Sequence, residues 1–182
     1  VRNAGSADID GLEVEIQALP VSWLQLSGNV GYLNTAYNRF INNGVNIAFG
    51  AALPAAPQFT GNLSADATLM GGDYGQLHLI ADYTHTDAYY FYPYSLSADP
   101  TVNGGYYAGS TKASPQNIVD LRLRLSGLQV PGGTVDVEMW GKNIFNDKYR
   151  INGIDFGPGF GNMTISNYGM PPTFGGDVTF HW

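Results

Sequence analysis

The chain has 182 residues, no Cys, 24 Gly, and only 13% charged residues, with 15 Asp and Glu against 8 Lys and Arg for a net charge of −7. That length suffices for one domain with a sizeable core, and the acidic balance argues against a nucleic-acid partner, which needs clustered Lys and Arg to neutralise phosphate. Without Cys there is no disulfide framework, thiolate metal site or Cys nucleophile, and no run of 18 apolar residues supplies a transmembrane helix. The opening Val1-Arg2-Asn3 has neither an initiator Met nor a signal-peptide pattern. The expectation is that these were removed or that the chain is a piece of a longer one.

Alternation of period two runs through the chain and helical periodicity is nearly absent, which predicts strands. Leu12, Val14, Ile16 and Ala18 alternate with Glu13, Glu15 and Gln17. Leu24, Leu26, Gly28, Val30 and Tyr32 alternate with Gln25, Ser27 and Asn29. Phe59, Gly61, Leu63, Ala65, Ala67 and Leu69 stand opposite Thr60, Asn62, Ser64, Asp66 and Thr68. Leu77, Leu79, Ala81 and Tyr83 oppose His78, Ile80, Asp82 and Thr84, with Ile80 the dissenter. Val119, Leu121, Leu123 and Leu125 oppose Asp120, Arg122 and Arg124, and Val135, Val137, Met139 and Gly141 oppose Asp136, Glu138, Trp140 and Lys142. Last, Phe174, Gly176, Val178, Phe180 and Trp182 oppose Asp177, Thr179 and His181. These are seven strands, and every charge within them falls on the face opposite the apolar set.

Short and long connections alternate. Leu19–Ser22, Met70–Tyr74 and Ser126–Gly133 read as turns, whereas roughly 38–58, 86–117 and 147–172 are long. Loops beyond about 12–15 residues are uncommon in compact domains. Short turns at one end and long loops at the other are the habit of outer-membrane β-barrels.

A soluble antiparallel barrel or sandwich with its apolar face inward is the competing reading. Three features favour the inverse, an apolar face toward lipid and a polar face toward a wet lumen. The polar face is rich in small neutral groups (Ser27, Thr60, Asn62, Ser64, Thr68), and the apolar face includes Gly28, Gly61, Ala65, Ala67, Ala81 and Gly141, which would fill a soluble core poorly. Aromatics gather at strand ends, at Trp23, Tyr32, Phe59, Tyr83, Phe174 and Trp182, as interfacial girdles do. Seven such strands would leave two bare edges, and lipid does not tolerate unpaired backbone groups. The fold class expected is therefore all-β, an antiparallel transmembrane barrel fragment that forms the end of a larger barrel, its N-terminus a cut.

Three stretches resemble the C-terminal part of TonB-dependent outer-membrane receptors. Asn3-Ala4-Gly5-Ser6-Ala7-Asp8-Ile9-Asp10-Gly11-Leu12-Glu13-Val14-Glu15 is similar to the opening of one of the family's strands. Gly141-Lys142-Asn143-Ile144-Phe145-Asn146-Asp147-Lys148-Tyr149-Arg150 resembles its N-L-F-D-x-x-Y element, with Ile144 for the usual Leu and Asn146 in the slot of the acid. Phe174 to Trp182 resembles its terminal strand, Trp182 replacing the more usual Phe. The resemblance implies a barrel of about 22 strands with a plugged lumen, of which residues 1–182 are the C-terminal portion, the plug domain and earlier strands lying outside. It implies TonB-driven uptake of a ferric siderophore, cobalamin or an oligosaccharide across a Gram-negative outer membrane, with no cofactor. The implied partners are membrane lipid, the receptor's own plug, TonB, a small-molecule ligand, and the barrel assembly machinery. That machinery would read Phe174, Gly175, Val178, Phe180 and Trp182 as an assembly signal. A plug-less porin-like channel is the alternative, and an outer-membrane barrel enzyme a more distant one.

The polar face carries Glu13, Glu15, Asp66, Asp82, Asp120, Asp136, Glu138 and Asp177 against Arg122, Arg124 and Lys142. This set reads as a lumen wall that meets the plug, with Arg122 and Arg124 expected to pair with carboxylates on the flanking strands. Tyr89, Tyr90, Phe91, Tyr92, Tyr94, Tyr106 and Tyr107 crowd one long connection. Aromatics give large contact area at low entropy cost, so this connection is the candidate for ligand contact, with packing of the loop on its neighbours as the alternative. Only Lys112 is basic there, which does not advertise an anionic ligand. No catalytic constellation stands out. His78 and His85 lie about 23 Å apart along one strand at ~3.3 Å per residue, on opposite faces, and cannot share a metal. Gly157-Pro158-Gly159-Phe160-Gly161 lacks the Lys and the strand-to-helix setting of a phosphate loop and reads as a flexible extracellular connection.

Overall fold

In a computed structural model of the chain, residues 5–42, 44–93, 112–156, 158–161 and 163–182 are described. The strands are β1 (Gly5–Val21), β2 (Leu24–Asn42), β3 (Val45–Asn46), β4 (Phe59–Gly72), β5 (Gly75–Thr86), β6 (Gln116–Val130), β7 (Gly133–Lys142), β8 (Arg150–Asp155), β9 (Thr164–Tyr168) and β10 (Thr173–His181). The helical content among the described residues is two short 3-10 turns, Ala48–Gly50 and Pro158–Phe160. One antiparallel sheet runs in the order β1-β2-β4-β5-β6-β7-β10, with β3 added to β2, and β8 and β9 form a separate hairpin. Its seven-strand path is the set of strands that the alternation predicts, and β1 and β10 are its edges.

The hairpins β1–β2, β4–β5 and β6–β7 each turn on two residues at one end of the sheet, Ser22-Trp23, Asp73-Tyr74 and Pro131-Gly132. The expected boundaries move at several turns: Leu19–Val21 belong to β1 and Met70–Gly72 to β4, which bulges between Thr68 and Met70. β2 continues to Asn42, so the connection placed at 38–58 starts as strand. The turn placed at Ser126–Gly133 is mostly the end of β6, bulged between Leu125 and Leu128. Gly127 there takes a φ of 72° and donates its N–H to Asp136 Oδ1 at 2.7 Å. The connection at 147–172 contains the β8–β9 hairpin, whose tip carries the Pro158–Phe160 turn in the glycine-rich stretch. In each case a strand extends into sequence that lacks clean alternation.

The register staggers the strands in one direction. A single row of partners runs Phe174, Gly141, Leu121, Ala81, Ala65, Leu26, Ala18. On β7 it stands eight residues beyond Gly133, on β5 six beyond Gly75, and on β2 only two beyond Leu24. Successive hairpins therefore slide along one another, the shear that a sheet needs in order to tilt and curl into a barrel.

Register also sets the faces. Leu12, Tyr32 and Phe59 form one line, and Leu77 to Tyr83 at every second position oppose Leu125 to Val119 on the same side. No second layer covers this apolar face among the described residues: Leu63 is 53%, Leu123 40% and Val178 72% exposed. Among the described residues the buried hydrophobic side chains are Ala51, Ile80 and Ala113, none of them on the apolar face. Ile80, the dissenter in its strand, stands between Asp66 and Arg122 on the polar side. A soluble sheet of this size would have to bury its apolar row against another element.

Beyond Leu12 and Tyr32 the polarity of the β1–β2 hairpin reverses. Asp10, Asn34 and Asp8 continue the face of Leu12, while Ile9, Leu33, Tyr37 and Phe40 take the other. The Tyr37 and Phe40 rings meet at 4.9 Å. The rule that charges oppose the apolar set thus holds for the stretch Leu12–Ala18 and not for the extension of β1 above it.

Candidate functional site

The register brings Glu13, Glu15, Asp66, Asp82, Asp120, Arg122, Arg124, Asp136, Glu138, Lys142 and Asp177 onto one face of the sheet. Glu13 and Glu15 lie on the edge strand β1. Asp82 faces Asp120 across β5–β6, and Glu138 faces Asp177 across β7–β10, so like charges sit opposite one another twice. Such pairs are unfavourable unless cations or water intervene. Arg122 partly relieves the first, its Nη2 donating to Asp82 Oδ2 at 3.2 Å. Asp120 also accepts the backbone N–H of Asn143 at 2.8 Å. His78 Nδ1 lies 2.8 Å from Asp66 Oδ1, and His181 Nε2 lies 3.3 Å from Asp136 Oδ2.

The expected pairing of both arginines is half right. Arg124 stands opposite His78 and Glu138, but its Nε is buried without a hydrogen-bond partner and it closes no ion pair among the described residues. The register opposes it to Glu138 without bringing the two charged ends into contact.

A depression of about 390 Å³ lies on this face, lined by Asp82, Asp120, Arg122, Glu138, Trp140 and Lys142 among others. Trp140 donates its Nε1–H to Asp177 Oδ2 at 2.8 Å, and Lys142 Nζ stands 5.4 Å from its ring centroid. The indole packs over Gly175, while on the opposite face Phe174 packs over Gly141, within 2.8 Å of where a Cβ would sit. Two aromatic side chains, one per face, thus occupy space that two glycines leave open. Sequence reasoning placed Gly175 in a terminal signal but missed this joint.

It also missed Asn143, 4% exposed, in the left-handed region at φ 49°. Its Nδ2 donates to the carbonyls of Asp147 and Met170, each at 3.0 Å, and its Oδ1 accepts the Asp147 N–H at 2.8 Å. The Ile144 N–H reaches back to the Val119 carbonyl at 3.0 Å, and Asp147 Oδ2 accepts the Asn117 N–H. The Asn143–Asp147 turn is therefore tied to the start of β6 at three points. An Asn directly after a strand, with Asn146 and Asp147 closely following, is a signal for such a turn, because Asn tolerates the left-handed region and bonds local backbone.

Of the aromatic candidates, Tyr89, Tyr90, Phe91 and Tyr92 are described, and Tyr94, Tyr106 and Tyr107 lie outside the described residues. Tyr90 makes bridges to Pro54 and to Lys112. The Ala55 N–H bonds the Tyr90 carbonyl at 2.9 Å, and the Ala113 N–H bonds the Tyr89 carbonyl at 2.7 Å. Lys112 Nζ stands 5.2 Å from the Tyr90 ring centroid, and Tyr89 meets Phe91 edge-on at 5.7 Å. The two ends of the β5–β6 connection and the stretch before β4 are knitted together here, with Ala51 and Ala113 buried among them.

The residues of the expected assembly signal line the edge strand. Phe174 and Val178 are exposed, Trp182 is 95% exposed, and the Phe180 and Trp182 rings lie 6.2 Å apart. His78 and His85 fall on opposite faces of β5. No group of three or more His, Asp or Glu able to hold a metal occurs among the described residues. No helix among them is long and apolar enough to cross a membrane, which says nothing of crossing by strands.

No family model matches the sequence. The structure is similar to the crystal structure of FyuA, the ferric yersiniabactin uptake receptor of Yersinia pestis, with a TM-score of 0.68 at 18% identity over 97% of this chain and 24% of that one. It is similar also to BauA, the ferric preacinetobactin receptor of Acinetobacter baumannii, with a TM-score of 0.64 at 18% identity over 96% of this chain and 22% of that one. The chain spans about a quarter of the length of these receptors. Both are receptors by description, not enzymes. The antiparallel sheet is similar in fold to part of TonB-dependent receptor barrels, as the sequence motifs imply.

Proposed function

We propose that the chain is the C-terminal portion of the barrel wall of a TonB-dependent outer-membrane receptor, which takes up a scarce nutrient such as a ferric siderophore, cobalamin or an oligosaccharide. The observation that carries this reading is the uncovered apolar face, bounded by aromatics at both ends. From Leu24 to Tyr32 the apolar band on β2 spans nine residues, against the ~9–11 a tilted strand needs to cross a bilayer. Lipid supplies the missing cover. Trp23, Tyr74 and Trp182 mark the periplasmic interface and Tyr32, Phe59, Tyr83 and Phe174 the outer one, where amphipathic rings are favoured.

On this reading Glu13, Glu15 and the charged residues around Trp140 line the lumen and meet the plug. The edges β1 and β10 pair with further strands of the barrel, since unpaired backbone is costly in lipid. Tyr89, Tyr90, Phe91 and Tyr92 belong to the extracellular side, where a ligand first docks. TonB and the plug act outside the present residues, and the two structural neighbours support uptake rather than catalysis.

Substitution tests the orientation. Leu123→Arg places a charge on the lipid face and is expected to cost roughly 2–4 kcal/mol near the bilayer midplane. Ser64→Arg, on the opposite face between Ser27 and Asp82, is expected to cost much less, because water or the plug solvates it. Folding yields in liposomes of varied urea concentration measure both. Equal tolerance at the two positions sinks the inside-out arrangement.

A further inference from the structure

One depression lies on the apolar face of the sheet, near its short turns. It holds about 360 Å³ between Met70, Leu77, Leu125 and Leu128, with Tyr74 beside them. The Tyr74 hydroxyl is the one side-chain oxygen or nitrogen in its lining, whereas four other depressions each include a carboxylate. The register builds this groove. Met70, Leu77 and Leu125 form one row across β4, β5 and β6, and the two flanking strands bulge beside that row, β4 between Thr68 and Met70 and β6 between Leu125 and Leu128. A bulge bends its strand and sharpens the local twist, so the sheet bends on both sides of β5. Glycines keep the groove open. No atom lies within 4 Å of where a Cβ of Gly72 would stand, and Gly75, at φ 106°, lies so close to β6 that a Cβ would stand 2.5 Å from the Ser126 carbonyl oxygen.

The place of the groove in the fold says what covers it. β4 and β6 are each the third strand in from an edge of the sheet, with β5 between them. Further barrel strands attach at the edges and a plug meets the opposite face, so neither reaches the groove. It continues the apolar row of Leu79 and Leu123 toward the turns, which is the periplasmic end on the function proposed above, and the inference rests on that reading. Asp73 is exposed in the turn next to Tyr74 and makes no ion pair among the described residues. It is the one charged residue within 19–23, 70–76 and 126–133, which contain no Lys or Arg. We propose that the groove seats one acyl chain of a periplasmic-leaflet phospholipid whose headgroup carries a primary ammonium, and that this ammonium docks on the Asp73 carboxylate.

Lipid tails are as apolar as the groove, so hydrophobicity alone does not favour it over the rest of the outer face. Shape and charge do. A chain lying in a groove meets apolar atoms on several sides, and dispersion contacts add up where a flat sheet offers one side only. The ammonium donates charge-assisted hydrogen bonds to a carboxylate. An anionic headgroup instead meets Asp73 as a like charge, with no cation in the three turns to offset it. Tyr74 stands between the two parts of the site, where an amphipathic ring is favoured at the headgroup level.

The test is photocrosslinking of the full-length protein in phosphatidylcholine vesicles that carry a trace of phosphatidylethanolamine with a diazirine on one acyl chain. Peptide mass spectrometry maps the adducts. They are expected to concentrate in 70–77 and 125–128 over the flat parts of the outer face around Leu63 and Leu123. Unlabelled phosphatidylethanolamine is expected to compete about two- to fivefold better than phosphatidylglycerol, which is what an exposed ion pair is worth. Asp73→Asn is expected to abolish that preference and keep the adducts. Gly72→Leu fills the groove, and its adducts there are expected to vanish while those around Leu63 and Leu123 persist. Adducts spread evenly over the outer face overturn the proposal, as do equal competition by the two lipids and a preference that survives in Asp73→Asn. Each of these leaves the lipid-facing reading standing, whereas a chain without adducts anywhere on the apolar face overturns both. Should Gly72→Leu fail to fold by heat-modifiable mobility, the wild-type map and the Asp73→Asn competition decide alone.

Discussion

Asn143 shows how much one side chain can organise at the rim. It satisfies two carbonyls and one N–H in a site closed to water, where an unsatisfied group costs about 1–3 kcal/mol. It also accepts a left-handed backbone that Ala resists. Asn143→Ala is expected to lower the temperature of the heat-modifiable gel shift by an amount equivalent to about 2–4 kcal/mol, combining one or two lost bonds with the backbone strain. Asn146, left-handed at φ 56°, gives the control. Asn146→Gly keeps the backbone conformation accessible, and near-wild-type stability is expected. A silent Asn143→Ala would mean that the turn is held by Ile144 and Asp147 without it. In the sequence Asn143 stood only as one residue of the receptor-like stretch Gly141–Arg150. Its burial was not legible there, because that depends on where Met170, far along the chain, comes to lie.

At the scale of elements, the β7–β10 pairing is a joint between aromatics and glycines. Trp140 fills the space over Gly175 on the polar face, and Phe174 fills the space over Gly141 on the apolar face. A methyl group at Gly175 would run into the indole, so Gly175→Ala is expected to destabilise the β7–β10 pairing by about 1–3 kcal/mol, the usual cost of overpacking. Combining it with Trp140→Leu makes room for the methyl, and the two changes together are expected to cost less than their sum. Strict additivity in a folding assay would show that the ring does not rest on this glycine. Alternation alone predicts which residues share a face. It is silent on which large side chain meets which gap, because that follows from the register between two strands thirty residues apart in sequence.

For the whole molecule the terminal strand is decisive. β10 is an edge of the sheet with Phe174, Val178, Phe180 and Trp182 exposed along it. On the proposed reading the sheet is part of a closed barrel in lipid, which must pair this edge. Deleting Phe180 through Trp182 from the full chain is therefore expected to reduce outer-membrane insertion far more than replacing three residues within 98–111. The loop change is expected to leave insertion intact and, where its aromatics touch ligand, to alter uptake only. Heat-modifiable mobility of membrane fractions and ligand uptake, measured side by side, separate the two. Normal insertion without the terminal triplet would mean that β10 closes nothing.

The strands, their faces and the all-β class were determined by the sequence itself, since period-two alternation between Leu12 and Trp182 is a property of each segment and needs no partner. So was the candidate polar wall, from Glu13 to Lys142, because a residue's side of the sheet follows from its parity. The tertiary structure alone decided what depends on two segments meeting. Register set the one-way stagger and left Arg124 without an ion pair while Arg122 found Asp82. It also brought His85 between Asp87 and Asn117, which a reading of spacing along one strand could not foresee. The extension of β1 to Gly5 and of β2 to Asn42 escaped detection for a related reason. Beyond Leu12 and Tyr32 the environments of the two faces exchange, so the polarity that marks the strand inverts, and only backbone pairing carries it on.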